Sequence, residues 1–418
     1  MASKRLRTIS IVIVFSMVAL TAWPLMSHNG CDPVIVTGVL LGITAIGAIA
    51  LIASSILEEK VTDKDGRPLF DRYRHRMKFK VLFIAVMLAV IIILTAISLT
   101  IGQIYVESWD VYSLVWEHLK GTQFEPGSDE WVADISIWKV TMPRTVGALI
   151  AGAGLAVGGA AMQNVMRNPL ADPYTTGISS GAVLGVSVAM ILGLTVAGNG
   201  GIGIVINAFV FSLIPAFALI GMTRAVKGTP VTMILFGTAM SYIFSAMTTI
   251  LMLFSTIENM SGVFKWQVGT LVGMTWGNVP VMFTVTLVGS VSLYLMSNKL
   301  NILLAGDNDA KSFGLNVDNF RTACLLLLSL MTASIISFTG IIGFLGLLTP
   351  HIVRLVIGSD SRLVIPASAA FGAMLLLMAD IISQTITDLP MPVGVVMSFI
   401  GAPMFLIMVL SQKKEVLE

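Results

Sequence analysis

At 418 residues the chain is long enough for two or three soluble domains, but 56% hydrophobic and only 11% charged residues exclude that reading and indicate a polytopic helical membrane protein. Apolar runs of about 20 residues, rather than alternating ten-residue stretches, exclude a transmembrane barrel. A net charge of +2 points to no nucleic acid, and two cysteines, Cys31 in a short loop and Cys324 in an apolar run, outline neither a disulfide framework nor a metal site.

Taken in order, Lys4, Arg5 and Arg7 precede an apolar stretch with no Ala-x-Ala cleavage site, so a retained helix is expected. Spans are predicted near 9–26, 34–56, 81–102, 142–165, 177–197, 202–222, 230–254 and 277–297. The uncharged run from Ala323 to Val353 is too long for one span and carries Gly340, Gly343 and Gly346, which predicts two shorter helices around a glycine hinge. The last spans are predicted at 363–386 and 392–411, twelve in all. The expected organisation is an N-terminal two-helix hairpin (1–56), a charged linker (57–80) with a basic cluster from Arg72 to Lys80 that anchors topology beside anionic lipid, and a ten-helix body (81–418). With both termini cytoplasmic, 21 of the 25 lysines and arginines fall inside, leaving only Lys120, Lys139, Arg144 and Lys265 outside.

Between the fourth and fifth spans lies Arg167-Asn-Pro-Leu-Ala-Asp-Pro173, a turn expected to leave the bilayer and re-enter at Gly177: Pro169 and Pro173 each stop a helix, and Arg167 and Asp172 are costly in hydrocarbon. Gly147, Gly152, Gly154, Gly158 and Gly159 place small residues on adjoining turns of the fourth span, with Gly154 and Gly158 forming G-x-x-x-G, so another helix is expected to approach its backbone closely. The outer loop from Gln103 to Lys139 combines seven acidic residues with Trp109, Trp116, Trp131 and Trp138, aromatics suited to the membrane interface.

A phosphate-cradling loop is missing. Its nearest approach, Ala305-Gly-Asp-Asn-Asp-Ala-Lys-Ser312, has alanine at both required glycines and two aspartates that repel phosphate, so this chain is expected not to hydrolyse ATP. The acid well inside a predicted span is Asp380, which either bonds a neighbouring helix or couples transport to protons. His351, beside Pro350 and near Arg354 at a helix end, is read as a hydrogen-bonded joint rather than a metal ligand.

Met142-Pro-Arg-Thr145, the glycine-rich helix after it, Arg167 to Pro173, and Gly177-Ile-Ser-Ser-Gly-Ala182 resemble permease subunits of the FecCD type, the iron-siderophore, haem and vitamin B12 ABC importers. The resemblance continues in order through Trp266-Gln-Val-Gly269, Gly343 to Arg354, Leu377-Met-Ala-Asp380, Pro392-Val-Gly-Val-Val396 and Gly401-Ala-Pro403, and leaves the N-terminal hairpin outside. It implies a ten-helix permease that pairs with a second copy, two cytoplasmic ATPase subunits that bind the ATP, an extracytoplasmic binding protein, and no cofactor in this chain. It implies structural roles for Arg167, Asn168, Pro169, Asp172, Pro173, Gly177, Ser180, Gly181, Pro350, His351, Arg354 and Asp380. It also places ATPase coupling at Gly306, Asp309, Ala310, Lys311, Ser312 and Gly314. Two arginines that relatives often carry are replaced here by Thr141 and Gln384, so docking of the binding protein is expected to rest either on Lys139 and Arg144 or on another surface. The cargo implied is a metal chelate, ferric siderophore first, with cobalamin, haem or molybdate as alternatives. Rival readings are an ion-coupled secondary transporter using Asp380 and a membrane scaffold whose hairpin binds a partner.

Overall fold

A computed structural model describes residues 69–101, 110–198, 200–226, 229–386 and 391–413; the expected hairpin over 1–56 lies outside them, as does the linker up to residue 68. The first described helix, α1 (Leu69–Thr100), begins inside the stretch read as linker. Arginine, lysine and methionine are good helix formers, so the helix runs on where the apolar run stops. Two short helices follow, α2 (Asp110–Leu119) and α3 (Asp129–Ser136), and α3 continues through a π-turn at Ile137–Thr141 into α4 (Met142–Val165). Met142 N–H donates to the Ile137 carbonyl five residues back, next to Pro143, which has no N–H to offer.

The rest of the bundle is α5 (Ile178–Leu192), α6 (Gly200–Val226), α7 (Pro230–Leu253), α8 (Ile257–Gln267), α9 (Val279–Leu295), α10 (Ser297–Ala305), α11 (Asp307–Ser312), α12 (Val317–Thr339), α13 (Leu345–Ile357), α14 (Ser361–Thr385) and α15 (Val393–Lys413). Six described helices are long and apolar enough to cross a bilayer. The pair α9–α10, bent by 56°, makes a seventh if it is counted as one span, and α5, α13 and α15 are shorter apolar helices at three further positions where spans were expected. Large apolar side chains on α1 and α7, including Ile92, Leu235 and Tyr242, are exposed, as a lipid-facing surface requires.

Helix α4 is the packing axis, buried almost all round and flanked by α9, α12, α13 and α14. Its close approaches use the expected glycines unequally. Gly154 and Gly158 face side chains, of Ile335 and Thr286 and of Met331 respectively. The backbone contacts are made by Gly152, against the Gly372 carbonyl on α14, and by Gly159, against the Gly346 carbonyl on α13. That second carbonyl is available because Pro350, four residues on in α13, has no N–H to bond it.

Of the glycines expected to form the hinge, Gly340 and Gly343 lie between α12 and α13 while Gly346 falls within α13, and the break forms part of a larger junction. Gly340 (φ 68°) lies on the Trp266 carbonyl, Gly269 (φ 76°) on that of Ile341, and Gly394 on that of Val268. Thr270 N–H donates to Thr339 O (2.7 Å) and Gly394 N–H to Gly269 O (3.1 Å). Three stretches far apart in sequence thus meet backbone to backbone at the end of the bundle opposite α11.

Candidate functional site

The end of the bundle carrying α11 is tied together by charge. Gly306 (φ 131°) turns the chain into α11 and Gly314 (φ 80°) turns it out. Ala310 is fully buried on the inner side, while Asp309, Lys311, Ser312 and Phe313 project outward. Asp307, the first residue of α11, accepts from the guanidinium of Arg321 on α12 (Nη2 to Oδ1, 3.0 Å) and from Arg167 (3.5 Å). Arg321 is 1% exposed, and its Nε also donates to the carbonyl of Val165, the last residue of α4 (3.3 Å). Burial pushes the Asp307 carboxyl up, but the hydrogen bonds and charges of Arg321 and Arg167 outweigh it and hold the group below its ordinary value.

The same end of α4 receives Arg354 from α13, which donates to Ala160 O (3.2 Å), to Asn164 Oδ1 (3.1 Å) and to Gln163 Oε1. A cation there sits favourably at the negative end of the helix. Gln163 in turn donates to Leu347 O (3.1 Å), and Asn164 to Ser361 Oγ (2.8 Å) at the start of α14. Asn301 on α10 joins Asp360 (2.8 Å) and the Ser361 N–H (2.8 Å). Helices α4, α10, α11, α12, α13 and α14 therefore share one polar network.

The joint after α4 folds as the prolines require. Arg167 takes a positive φ (48°), Asn168 accepts from Leu170 N–H (2.9 Å), and Asp172 caps a 3-10 turn at Pro173–Thr176 through Tyr174 N–H (3.0 Å). Gly177 (φ 88°) starts α5, Ser180 stands half-buried in its first turn, and Gly181 lies on the Phe211 carbonyl. Burial pushes the Asp172 carboxyl up to about 6, against the downward pull of the Tyr174 N–H. The unfolded chain loses this proton near 4, so Asp172 favours the fold most at low pH and that contribution is lost as pH rises from about 4 to about 6. Asp172→Asn, which keeps a capping oxygen, should flatten this slope by up to roughly 3 kcal/mol. Melting temperatures in detergent between pH 4.5 and 7 check this; an unchanged slope would refute it.

Deeper in the bundle Arg144 and Asp380 form one buried pair across α4 and α14. Arg144 Nε lies 3.0 Å and Nη2 2.8 Å from Asp380 Oδ1, and Gln384 Nε2 donates to Oδ2 (2.9 Å). Arg144 is thus engaged inside the protein, 7% exposed, whereas Lys139 on the π-turn is exposed. Thr141, also buried, accepts from the Thr145 hydroxyl through its carbonyl (2.9 Å). His351 lies half-buried on α13. At this opposite end His118 stacks on Trp138 (4.3 Å) and meets Asp134 (2.7 Å), which ties α2 to α3. Among the described residues no three His, Cys, Asp or Glu side chains cluster as a metal site.

The joint after α4 and the short helix α11 stand where the sequence motifs implied a turn and a compact charged helix, while the bend between α9 and α10 was not expected. The profile described as the FecCD transport family matches residues 88–411. The chain belongs to the FecCD family. The ABC transporter permease protein MJ0087 of Methanocaldococcus jannaschii is 36% identical to this FecCD permease over 354 residues, 82% of this chain and 99% of that one. The cobalamin import system permease protein BtuC of Halobacterium salinarum is 37% identical over 275 residues, 66% of this chain and 73% of its own length. A solved metal-chelate type ABC transporter in an inward-facing conformation matches with a TM-score of 0.68 at 27% identity, covering 78% of this chain and 98% of that one. FecCD proteins are permease subunits of ABC transporters, not enzymes, and their ATPase is a separate subunit.

Sequence reasoning missed Asp307, Arg321 and Phe313. Asp307 and Arg321 could have been flagged as opposite charges flanking a short segment between two spans; their link to Val165 had no sequence signal.

Proposed function

We propose that this FecCD permease carries a metal chelate into the cytoplasm by alternating access, as a pair of identical copies served by two ATPase subunits and a binding protein. The observation that carries the reading is α11: a compact helix with an exposed outer face and a buried inner face, rooted in a charge network that reaches the central helix. A partner that closes on ATP binding needs such a stiff handle, and the exposed Phe313, 74% accessible, offers it an apolar contact beside Lys311 and Asp309. In this reading the α11 end, with Arg167, Arg321, Arg354 and Arg362, faces the cytoplasm, as positive residues do. Gly306 and Gly314 then serve as the turns of the coupling segment, with Lys139 on the outer, binding-protein side. Ferric siderophore is the first cargo proposed. Cobalamin, itself a metal chelate, is a second, favoured by the 37% identity to the cobalamin permease.

Uptake of radiolabelled ferric siderophore, cobalamin and haem by vesicles holding the permease with its ATPase and binding protein tests this. ATP-dependent uptake of one of them is expected, reduced at least tenfold, about 1.4 kcal/mol or more in apparent coupling, by Lys311→Glu. Uptake that follows a proton gradient without ATP would overturn the reading.

A further inference from the structure

Asp307, Arg321 and Val165 form a chain of contacts that neither the coupling motif nor the family assignment predicts. The α11 helix is only six residues long and ends in glycine turns on both sides, so by itself it is a poor lever. A force on its outer face could be absorbed by rotation about Gly306 and Gly314. What opposes that rotation is its first residue. The Asp307 carboxylate is held by both terminal nitrogens of Arg321, at 3.0 to 3.3 Å, a forked grip that fixes direction as well as distance.

Arg321 is itself immobilised. It is among the largest fully buried side chains of the described residues, and its third nitrogen, Nε, donates to the last carbonyl of α4. A buried guanidinium has a strong energetic reason to keep its partners, since breaking one contact exposes an uncompensated charge. Arg167, also on the α4 side, adds a weaker hold on Asp307 from the exposed flank.

Resting on the importer reading above, we infer that Arg321 is a positioning residue for energy coupling. Its guanidinium welds the start of α11 to α4 and α12, so that movement imposed on α11 is delivered to the central helix rather than lost in the glycine turns. The route along α10 is a different one, since α10 meets α14 through Asn301 and Asp360. Lysine cannot reproduce the role, because an ammonium has no planar fork with which to hold a carboxylate and a carbonyl at once.

The test uses the full importer in vesicles, with unaltered permease, Arg321→Lys, Asp307→Asn and Asp307→Glu. Three quantities are measured: ATPase retained on purification, ATP hydrolysed, and chelate taken up per ATP. The exposed face of α11 is untouched, so the ATPase should remain bound and hydrolysis should stay within twofold, while uptake per ATP falls at least fivefold in Arg321→Lys and Asp307→Asn. Asp307→Glu, which keeps the carboxylate, should recover more than half of that ratio. An unchanged ratio in both defective variants would overturn the inference, and so would uptake and hydrolysis falling in equal proportion, the mark of structural damage alone. Absence of ATP-dependent uptake with the unaltered permease would instead remove the importer reading on which it rests.

Discussion

Arg144→Met is expected to destabilise the permease by about 3–5 kcal/mol, because it strands the Asp380 carboxylate, 0% exposed, between α4 and α14. The Asp380 carboxylate would keep the Gln384 amide (2.9 Å), with the Ser383 hydroxyl already given to the Asp380 backbone carbonyl (2.8 Å), too little to replace a doubly bonded guanidinium. Asp380→Leu should cost a similar amount for the converse reason. The double variant Arg144→Met with Asp380→Leu should regain most of the loss, since removing both charges also removes the cost of burying them. Unfolding in detergent, followed by tryptophan fluorescence and by the fraction eluting as folded protein, gives the four corners of the cycle. Single variants as stable as the parent would show that the pair is weak. The double variant also addresses ion coupling: if it folds and still imports chelate with ATP, Asp380 is dispensable for energy input.

The second large effect is steric and turns on adjacent glycines. A Cβ at Gly159 would fall on the backbone carbonyl of Gly346, which no side-chain adjustment can move aside. Gly159→Ala is therefore expected to cost on the order of 3 kcal/mol by driving α4 from α13. At Gly158 the same methyl meets the terminal carbon of Met331 at 3.3 Å, a flexible side-chain end. Gly158→Ala should change stability by less than about 1 kcal/mol, with the better helix propensity of alanine offsetting slight crowding. Expression and melting temperature of the pair of variants in the same detergent decide the matter, and equal behaviour would refute this account of α4.

These expectations mark where the sequence is legible and where it is not. The spans, the proline joint and the hinge before α13 could be read because each depends on local physics: length against bilayer thickness, ring closure at proline, and conformational freedom at glycine. The short helix α11 fell within the segment that resemblance had marked for ATPase coupling. Orientation within the bundle could not be read. The small-residue pattern of α4 named Gly152, Gly154, Gly158 and Gly159 together, and nothing in it separated the backbone contacts of Gly152 and Gly159 from the side-chain contacts of the other two, because spacing does not say which neighbour covers a residue. Arg144 was expected on an outer surface, but its partner is 236 residues away in sequence, beyond any pattern a window can detect. The junction of Gly269, Gly340 and Gly394 escaped for the same reason, although each glycine belonged to a recognised motif. The helical turns of α1 that precede its apolar run were not legible, because hydropathy locates the bilayer boundary and not the helix end.

That separation of 236 residues also bears on how the protein is made. A ribosome adds roughly 5–20 residues per second, so Arg144 emerges roughly 10 to 50 s before Asp380 exists to meet it. Through that interval α4 carries an unpaired guanidinium, together with Gln163 and Asn164, whose partners at Leu347 and Ser361 are also still untranslated. Lipid alone is a poor place for such a segment to wait. The helix at the centre of the finished bundle thus enters the membrane early and reaches its final position late, and the insertion machinery must shelter it until the C-terminal third has followed.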